Sequence, residues 1–390
     1  MLVKNVRVSD WEIPLGQTTP LIVTTANKSR TFLSRRGSYM YIEGEAHGVG
    51  EMVEPVFTLF GEDPGTILAE ARRILYACTS RLTGLVLGDD WIHDIKNAVS
   101  ICCVLESRES PMCKRLACYC VEQALLTFVA GSRSIPLWFI LREYMGIPCI
   151  PVNAYDGVVR LNTMLNMRGA KALDVLPKGV IKLKVGGGES SPAKDAGRVN
   201  GVAAEIEPIK FPILRLDANQ SWSAIEYREF LKSLSSHAVS LIQYIEEPFK
   251  ADSVSELNHQ LRDSVRSLPI ALDESLLLPE IDSILKEQVD LRIINKVSLH
   301  GIASSHPMFL EGSRTTITCT FETGIGLAFL VSLAYAVNPE EYHGLHPLPQ
   351  MSASSRITCE FSRLVHNDHQ GSFVNVRESE ALLLNFSKFS

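Results

Sequence analysis

Lysines and acids follow one another along this chain at the tips of short apolar runs. The runs are GVIKLKVG (179–186), ILRLDAN (213–219), LIQYIEEP (241–248), PIALDES (269–275) and LRIINKVS (291–298). They present Lys182 and Lys184, then Asp217, then a glutamate at 246 or 247, then an acid at 273 or 274, then Lys296. Three carboxylates can hold a hard divalent cation, and oxygen-only ligation favours Mg²⁺, with Mn²⁺ as the alternative. Such a cation polarises a substrate carboxylate while an amine removes a neighbouring proton. A lysine beside a second lysine and a dication is pushed toward its neutral, basic form, because each positive neighbour disfavours the charged one.

The elements that position these groups read as strands. Alternation puts Lys182 and Lys184 on one face, and Arg215, Asp217 and Asn219 on one face, with apolar Leu183, Leu216 and Ala218 between them. Enclosing such charges costs on the order of several kcal/mol each unless they are paired or ligate a metal. One lysine and one acid make an ordinary ion pair; acids on three consecutive strand ends point to a metal. Alternation sends Glu246 and Glu247 to opposite faces without saying which turns inward. Asp273 and Glu274 pose the same question.

The key positions 182, 217, 246, 273 and 296 are 35, 29, 27 and 23 residues apart. Each step fits a strand, a helix and two loops, so parallel βα units closing a barrel are expected. The first strand is expected at PVNA (151–154), the seventh at TTITCTFE (315–322) and the eighth at LHPL (345–348). Residues 1–60 alternate like an antiparallel sheet (VKNVRV, RGSYMYIEGE). Helices are expected after Pro64, after Asp89-Asp90 and after Ser110-Pro111, where capping residues or a first-turn proline precede helical patterns. The expected plan is α/β: an α+β capping domain over 1–146, a modified TIM barrel of (β/α)7β type over 147–345, and a segment 346–390 packing back on the cap.

With 390 residues, 46% apolar and net charge −6, the chain can bury a large core and carries no broad basic field for nucleic acid or anionic membrane. The opening MLVKNVRVSDWEI alternates like a strand rather than a secretion signal, and the apolar stretch 116–131 contains Glu122 and Gln123. A soluble, cytoplasmic protein acting on a small carboxylate is expected, with no nucleic-acid or membrane partner. The nine cysteines lack C-x2-C spacing and are expected as buried thiols. The pairs H-G-L-H (343–346) and H-N-D-H (366–369) are expected as solvated loop histidines, and KVGGGES (184–190) as a βα turn lacking the G-K-[ST] end of a phosphate loop.

Together KLKVG (182–186), LRLDAN (214–219), EEP (246–248), LDES (272–275), Lys296 and TCTFETGIG (318–326) resemble the enolase superfamily, and within its muconate-lactonizing-enzyme-like group the o-succinylbenzoate synthases of menaquinone biosynthesis. The resemblance covers about 180–330 and is weaker at RRG (35–37) and GVGE (48–51). It implies Lys184 as base and acid, Lys296 as the lysine that stabilises an enediolate, and Asp217, Glu246 and Asp273 as Mg²⁺ ligands. It makes Lys182 an electrostatic neighbour and places Arg215, Thr318 and Thr320 with Asn219 among substrate contacts. Cys319 stands where the group has serine, and Val297 where proline is common. The implied activity is a carbon–oxygen lyase; racemases or epimerases of N-acylamino acids or dipeptides share these barrel motifs. LHPLPQ (345–350) lacks the D-x-D that such dipeptide epimerases usually carry near the eighth strand. A non-catalytic barrel is disfavoured because Lys184 and all three acids are present.

Overall fold

The alternating first segment forms sheets. The computed structural model describes residues 1–16, 20–25, 28–56, 62–104, 110–148, 156–165, 179–187, 190–206, 213–264, 268–287, 290–302, 314–368 and 370–385. Strand β1 (Val3–Pro14) starts the chain, and β2 (Leu21–Thr25) pairs with β3 (Lys28–Phe32) in a hairpin of their own. Strands β4 (Ser34–Gly44) and β5 (His47–Val53) complete an antiparallel sheet in the order β1-β4-β5.

Helices begin where the capping residues predict. Asp63 accepts the Thr66 N–H at 2.8 Å and Pro64 opens α1 (Pro64–Leu82). Helix α2 (Trp91–Val104) follows. Ser110 caps α3 (Pro111–Arg133) by accepting from the Met112 N–H at 3.3 Å. Apart from Lys114 and Arg115, the side chains of Met112–Ala130 are buried, and α3 lies directly on β5. Gly50 permits that approach, since a Cβ there would sit 2.0 Å from the Cys120 carbonyl oxygen. Helix α4 (Leu137–Met145) closes this part. Cys78, Cys113 and Cys120 are buried free thiols, as expected; Cys118 is disulfide-bonded, which that expectation did not include.

From residue 163 to residue 317 the strands are parallel. Strands β6 (Val158–Leu161) and β7 (Thr163–Leu165) follow each other across Asn162. The others are β8 (Val180–Lys184), β9 (Ile213–Asp217), β10 (Ile242–Glu246), β11 (Ile270–Leu272), β12 (Arg292–Asn295) and β13 (Thr315–Ile317). Strands β7 to β13 form one seven-stranded parallel sheet in sequence order. The two-residue β14 (Tyr342–His343) completes the ring: it pairs parallel with β6, and the Thr318–Gly344 bridge joins its end to that of β13. The eighth stave therefore lies a few residues before LHPL. The first described stave is 158–165; the expected strand 151–154 lies outside the described residues.

Leu183, Leu216, Ile245, Leu272 and Ile293 pack outward against the barrel helices, while Tyr244, Ala271 and Ile294 form a small cluster of their own. These two sets fix the phase of each strand, so the alternate residues at the strand tips turn inward. A second large core joins the N-terminal sheet and helices to the fully buried helix Gly324–Val337. The final strands β15 (Val365–Asp368) and β16 (Gly371–Asn375) attach to β6, and helix Val376–Leu384 packs on Gly324–Val337. His343 is a core residue rather than a solvated one. Its Nδ1 accepts the Ile317 N–H at 3.0 Å, its Nε2 lies 2.9 Å from the Asn338 carbonyl, and burial pulls its pKa down to about 4. Among the described residues no helix is long and apolar enough to cross a membrane.

Candidate functional site

The inward strand tips meet at the C-terminal end of the barrel. Register places Lys184 beside Asp217 and Asp217 beside Glu246 across β8, β9 and β10. Lys182 Nζ donates to both oxygens of Glu246 at 2.7 Å and lies 2.9 Å from Asp217 Oδ2. Lys184 Nζ donates to Asp217 Oδ2 at 2.5 Å and to Asn219 Oδ1 at 2.6 Å. Across the mouth Lys296 Nζ donates to Asp273 Oδ2 and stands 3.8 Å from Glu274 Oε1. The structure thus brings Lys182, Lys184, Asp217, Asn219 and Glu246 into one cluster and sets Lys296 with Asp273 opposite. Lys182 is enclosed, whereas the Lys184 side chain keeps 32% of its surface exposed.

Electrostatics inside the mouth are uneven. Burial alone raises all three carboxyls, but Lys182 and Lys184 overcome it at Asp217 and hold that group well below the carboxylate range. Burial, with the charge of Asp217, leaves Glu246 raised; burial, with Glu274, raises Asp273 further still despite Lys296. Burial also pulls the Lys182 ammonium down, yet Asp217 and Glu246 more than reverse this and hold it well above its usual value. Glu246 and Asp273 are thus short of positive charge even with three lysines present.

Would a divalent cation fit? The donors are hard oxygens on three adjacent staves, and Asp273 Oδ1 is buried with no hydrogen-bond partner among the described residues. Each carboxylate is turned toward an ammonium, and among the described residues no three acidic, histidine or cysteine side chains stand ready to chelate as placed. The lysines occupy the position of a counter-charge, and their long stems can withdraw from it. The residue set fits the ion.

Other expected contacts lie elsewhere. Arg215 is fully buried one layer below the mouth, where its guanidinium bonds Glu341, the Tyr342 carbonyl at 2.6 Å and Gln243 Oε1 at 2.7 Å, and lies 5.0 Å from the Tyr244 ring centre. Its donors face the barrel floor rather than a substrate. The fully buried Thr320 shares its hydroxyl with Ser298 and Glu322 Oε1, at 2.8 and 2.6 Å, so that hydroxyl is already occupied. Thr318 Oγ1, by contrast, is buried without a hydrogen-bond partner among the described residues.

Backbone geometry concentrates at the same end. Asn219, Gln220, Glu247 and Phe321 have φ of 46°, 59°, 42° and 66°, values that L-residues seldom adopt. Gly186, after Lys184, has φ of 71°, and a Cβ there would meet the Ser221 Cβ at 2.7 Å. Sequence reading overlooked Gln220 and Ser275, which lie beside the acids, and Glu341, whose signal was an acid immediately before a strand too short to stand out.

Residues 170–358 match the family model for the enolase C-terminal domain-like fold. This region belongs to the enolase superfamily. The chain is 29% identical over 197 residues to an o-succinylbenzoate synthase of Escherichia coli O17:K52:H18, covering 47% of this chain and 56% of that one. It is 26% identical over 216 residues to a hydrophobic dipeptide epimerase of Roseobacter litoralis, covering 53% and 58%. It therefore spans little more than half the length of these curated relatives. A dipeptide epimerase from Enterococcus faecalis V583, solved with Mg and L-Leu-L-Tyr, shares the fold at a TM-score of 0.63, with 18% identity and 96% and 97% of the two chains covered.

Proposed function

We propose that the chain catalyses the Mg²⁺-dependent dehydration of 2-succinyl-6-hydroxy-2,4-cyclohexadiene-1-carboxylate to o-succinylbenzoate, the lyase step that its resemblance implies in menaquinone biosynthesis. The observation that carries this reading is the barrel mouth, where a partly exposed Lys184 stands across three buried acids from Lys296. The Lys184 amine takes the proton from the carbon next to the substrate carboxylate. It then returns that proton to the departing hydroxyl, the C–O bond breaks, water leaves and the ring becomes aromatic. Lys296 faces the substrate carboxylate from the other side with its ammonium. Asp217, Glu246 and Asp273 would hold the cation, which when bound supplies Lewis-acid charge against that carboxylate. The substrate is a small dissolved molecule, and a cytoplasmic site of action follows from that reading.

A second reading, epimerisation of dipeptides or N-acylamino acids, draws on the same two opposed lysines and on the Roseobacter litoralis relative. Residues 345–350 carry no acid to bind a peptide amine, which favours dehydration. The test offers both substrate classes to the purified protein with Mg²⁺. Loss of the cyclohexadiene is followed by ultraviolet absorbance, and α-proton exchange of N-succinylamino acids and dipeptides in heavy water. Dehydration that stops with EDTA and resumes with added Mg²⁺ is expected. Exchange without dehydration selects the epimerase, and turnover of neither overturns both.

A further inference from the structure

Glu246 turns inward, which leaves its neighbour Glu247 on the other side of the strand. Glu247 is nonetheless only 1% exposed, and its carboxylate accepts four hydrogen bonds. Oε1 accepts the Asp273 N–H at 2.7 Å and the Ser275 N–H at 2.8 Å. Oε2 accepts Ser275 Oγ–H at 2.7 Å and Gln220 Nε2–H at 3.3 Å. Its own backbone is tied the same way: its N–H donates to the Ala271 carbonyl at 2.9 Å, and its carbonyl accepts the Gln220 N–H at 2.7 Å. One residue therefore binds the loops that follow β9, β10 and β11, the three strands whose tips carry Asp217, Glu246 and, one residue past β11, Asp273. It does so from a left-handed conformation, φ 42°, that a glutamate adopts only when its surroundings impose it.

We propose that Glu247 is a positioning residue for the cation site: by gripping the Asp273 and Ser275 amides and the Gln220 side chain, it sets where the Asp273 carboxylate stands relative to Asp217 and Glu246. The proposal rests on the metal reading given above. Among the described residues Asp273 Oδ1 has no hydrogen-bond partner, so there the carboxylate is fixed mainly by its backbone and Lys296. Releasing the Asp273 amide lets the whole tip of β11 move, and ligand geometry moves with it. Glu247 acts here through the reach of its oxygens, not through its charge.

Three substitutions separate reach from charge. Glu247→Gln keeps an oxygen for the two amides at the same reach and removes the charge. Glu247→Asp keeps the charge but is one methylene too short. Glu247→Ala removes both. The readout is Mg²⁺ binding without substrate, by titration calorimetry, with far-ultraviolet circular dichroism in EDTA to verify folding. Wild type and Glu247→Gln are expected to agree within about threefold. Glu247→Asp and Glu247→Ala are expected to bind ~10–100-fold more weakly, the usual cost of removing a group that orients a metal ligand. If the alanine variant does not fold, the glutamine and aspartate variants still decide the matter. Wild-type affinity in Glu247→Asp overturns the proposal, and so does a glutamine variant as weak as the aspartate one. Wild-type protein that binds no Mg²⁺ overturns the metal reading itself, and the proposal with it.

Discussion

Two buried clusters of charge lie one layer apart in the same barrel, and they are built from different cations. On the floor Arg215 and Arg292 share Glu341, and Arg215 directs its planar fork at three fixed acceptors with no side-chain surface exposed. At the mouth the cations are lysines, of which Lys184 keeps the most solvent contact, and among the described residues Asp273 Oδ1 has no hydrogen-bond partner. A guanidinium bonded along its whole edge is locked in place, while an ammonium is a point charge on a flexible stem that can change partners. The floor is suited to holding staves together and the mouth to exchanging one ligand for another.

The sharpest way to break this contrast is to remove Lys184. Lys184→Ala is expected to lower kcat for the proposed dehydration by about 10²–10⁴, the usual contribution of a positioned proton-transfer group. Its melting temperature should stay close to wild type, since a partly exposed side chain supports little structure. Full activity in that variant rejects Lys184 as the base. The mirror experiment is Arg215→Met on the floor, which leaves Glu341 buried without its closest partner and is expected to cost about 3–5 kcal/mol of stability by denaturant unfolding. The double variant Arg215→Met, Glu341→Leu should recover much of that loss, because an apolar pair of similar volume needs no counter-charge. A single variant as stable as wild type would show the floor pair to be dispensable.

The mouth was far more legible in the sequence than the floor. Lys182, Lys184 and Asp217 interrupt apolar runs at a spacing of two, and no apolar barrel interior demands that. What sequence withheld was phase. Glu246 and Glu247 are equal candidates until Ile245 is seen packed against helices and Tyr244 placed inside. The role of Arg215 was out of reach for another reason: its partner lies 126 residues further on, beside a stave of two residues. Short staves carry too little periodicity to announce themselves, and so the eighth, Tyr342–His343, was expected a few residues too late. Nor does anything local reveal that the Thr320 hydroxyl bonds Ser298 and Glu322.

A third enclosed acid sharpens the contrast further. Glu51 on β5 sits in the seam between the N-terminal sheet and the barrel, where it accepts from the Thr323 and Gly326 N–H groups and the Thr323 hydroxyl, at 2.9, 2.6 and 2.9 Å. Unlike Asp217, it has no lysine at hydrogen-bond distance among the described residues; burial, with Glu322 nearby, pushes its pKa from 4.5 to about 8. The folded protein therefore holds a proton on Glu51 that the unfolded chain releases above its ordinary value. The resulting stability is fully present below about 4.5 and is lost as pH rises through the window up to about 8. Within that window this one group should contribute a slope of at most about −1.4 kcal/mol per pH unit. Glu51→Gln cannot ionise, so its unfolding free energy plotted against pH should lack the slope, whatever constant offset the amide introduces. Asp217→Asn should change the pH dependence in the opposite sense, because the folded value there is depressed and the stability it confers is lost only on acidification. Equal slopes for wild type and Glu51→Gln between pH 5 and 8 would mean that Glu51 is ionised in its seam, and that backbone amides alone serve a buried carboxylate as well as lysines do.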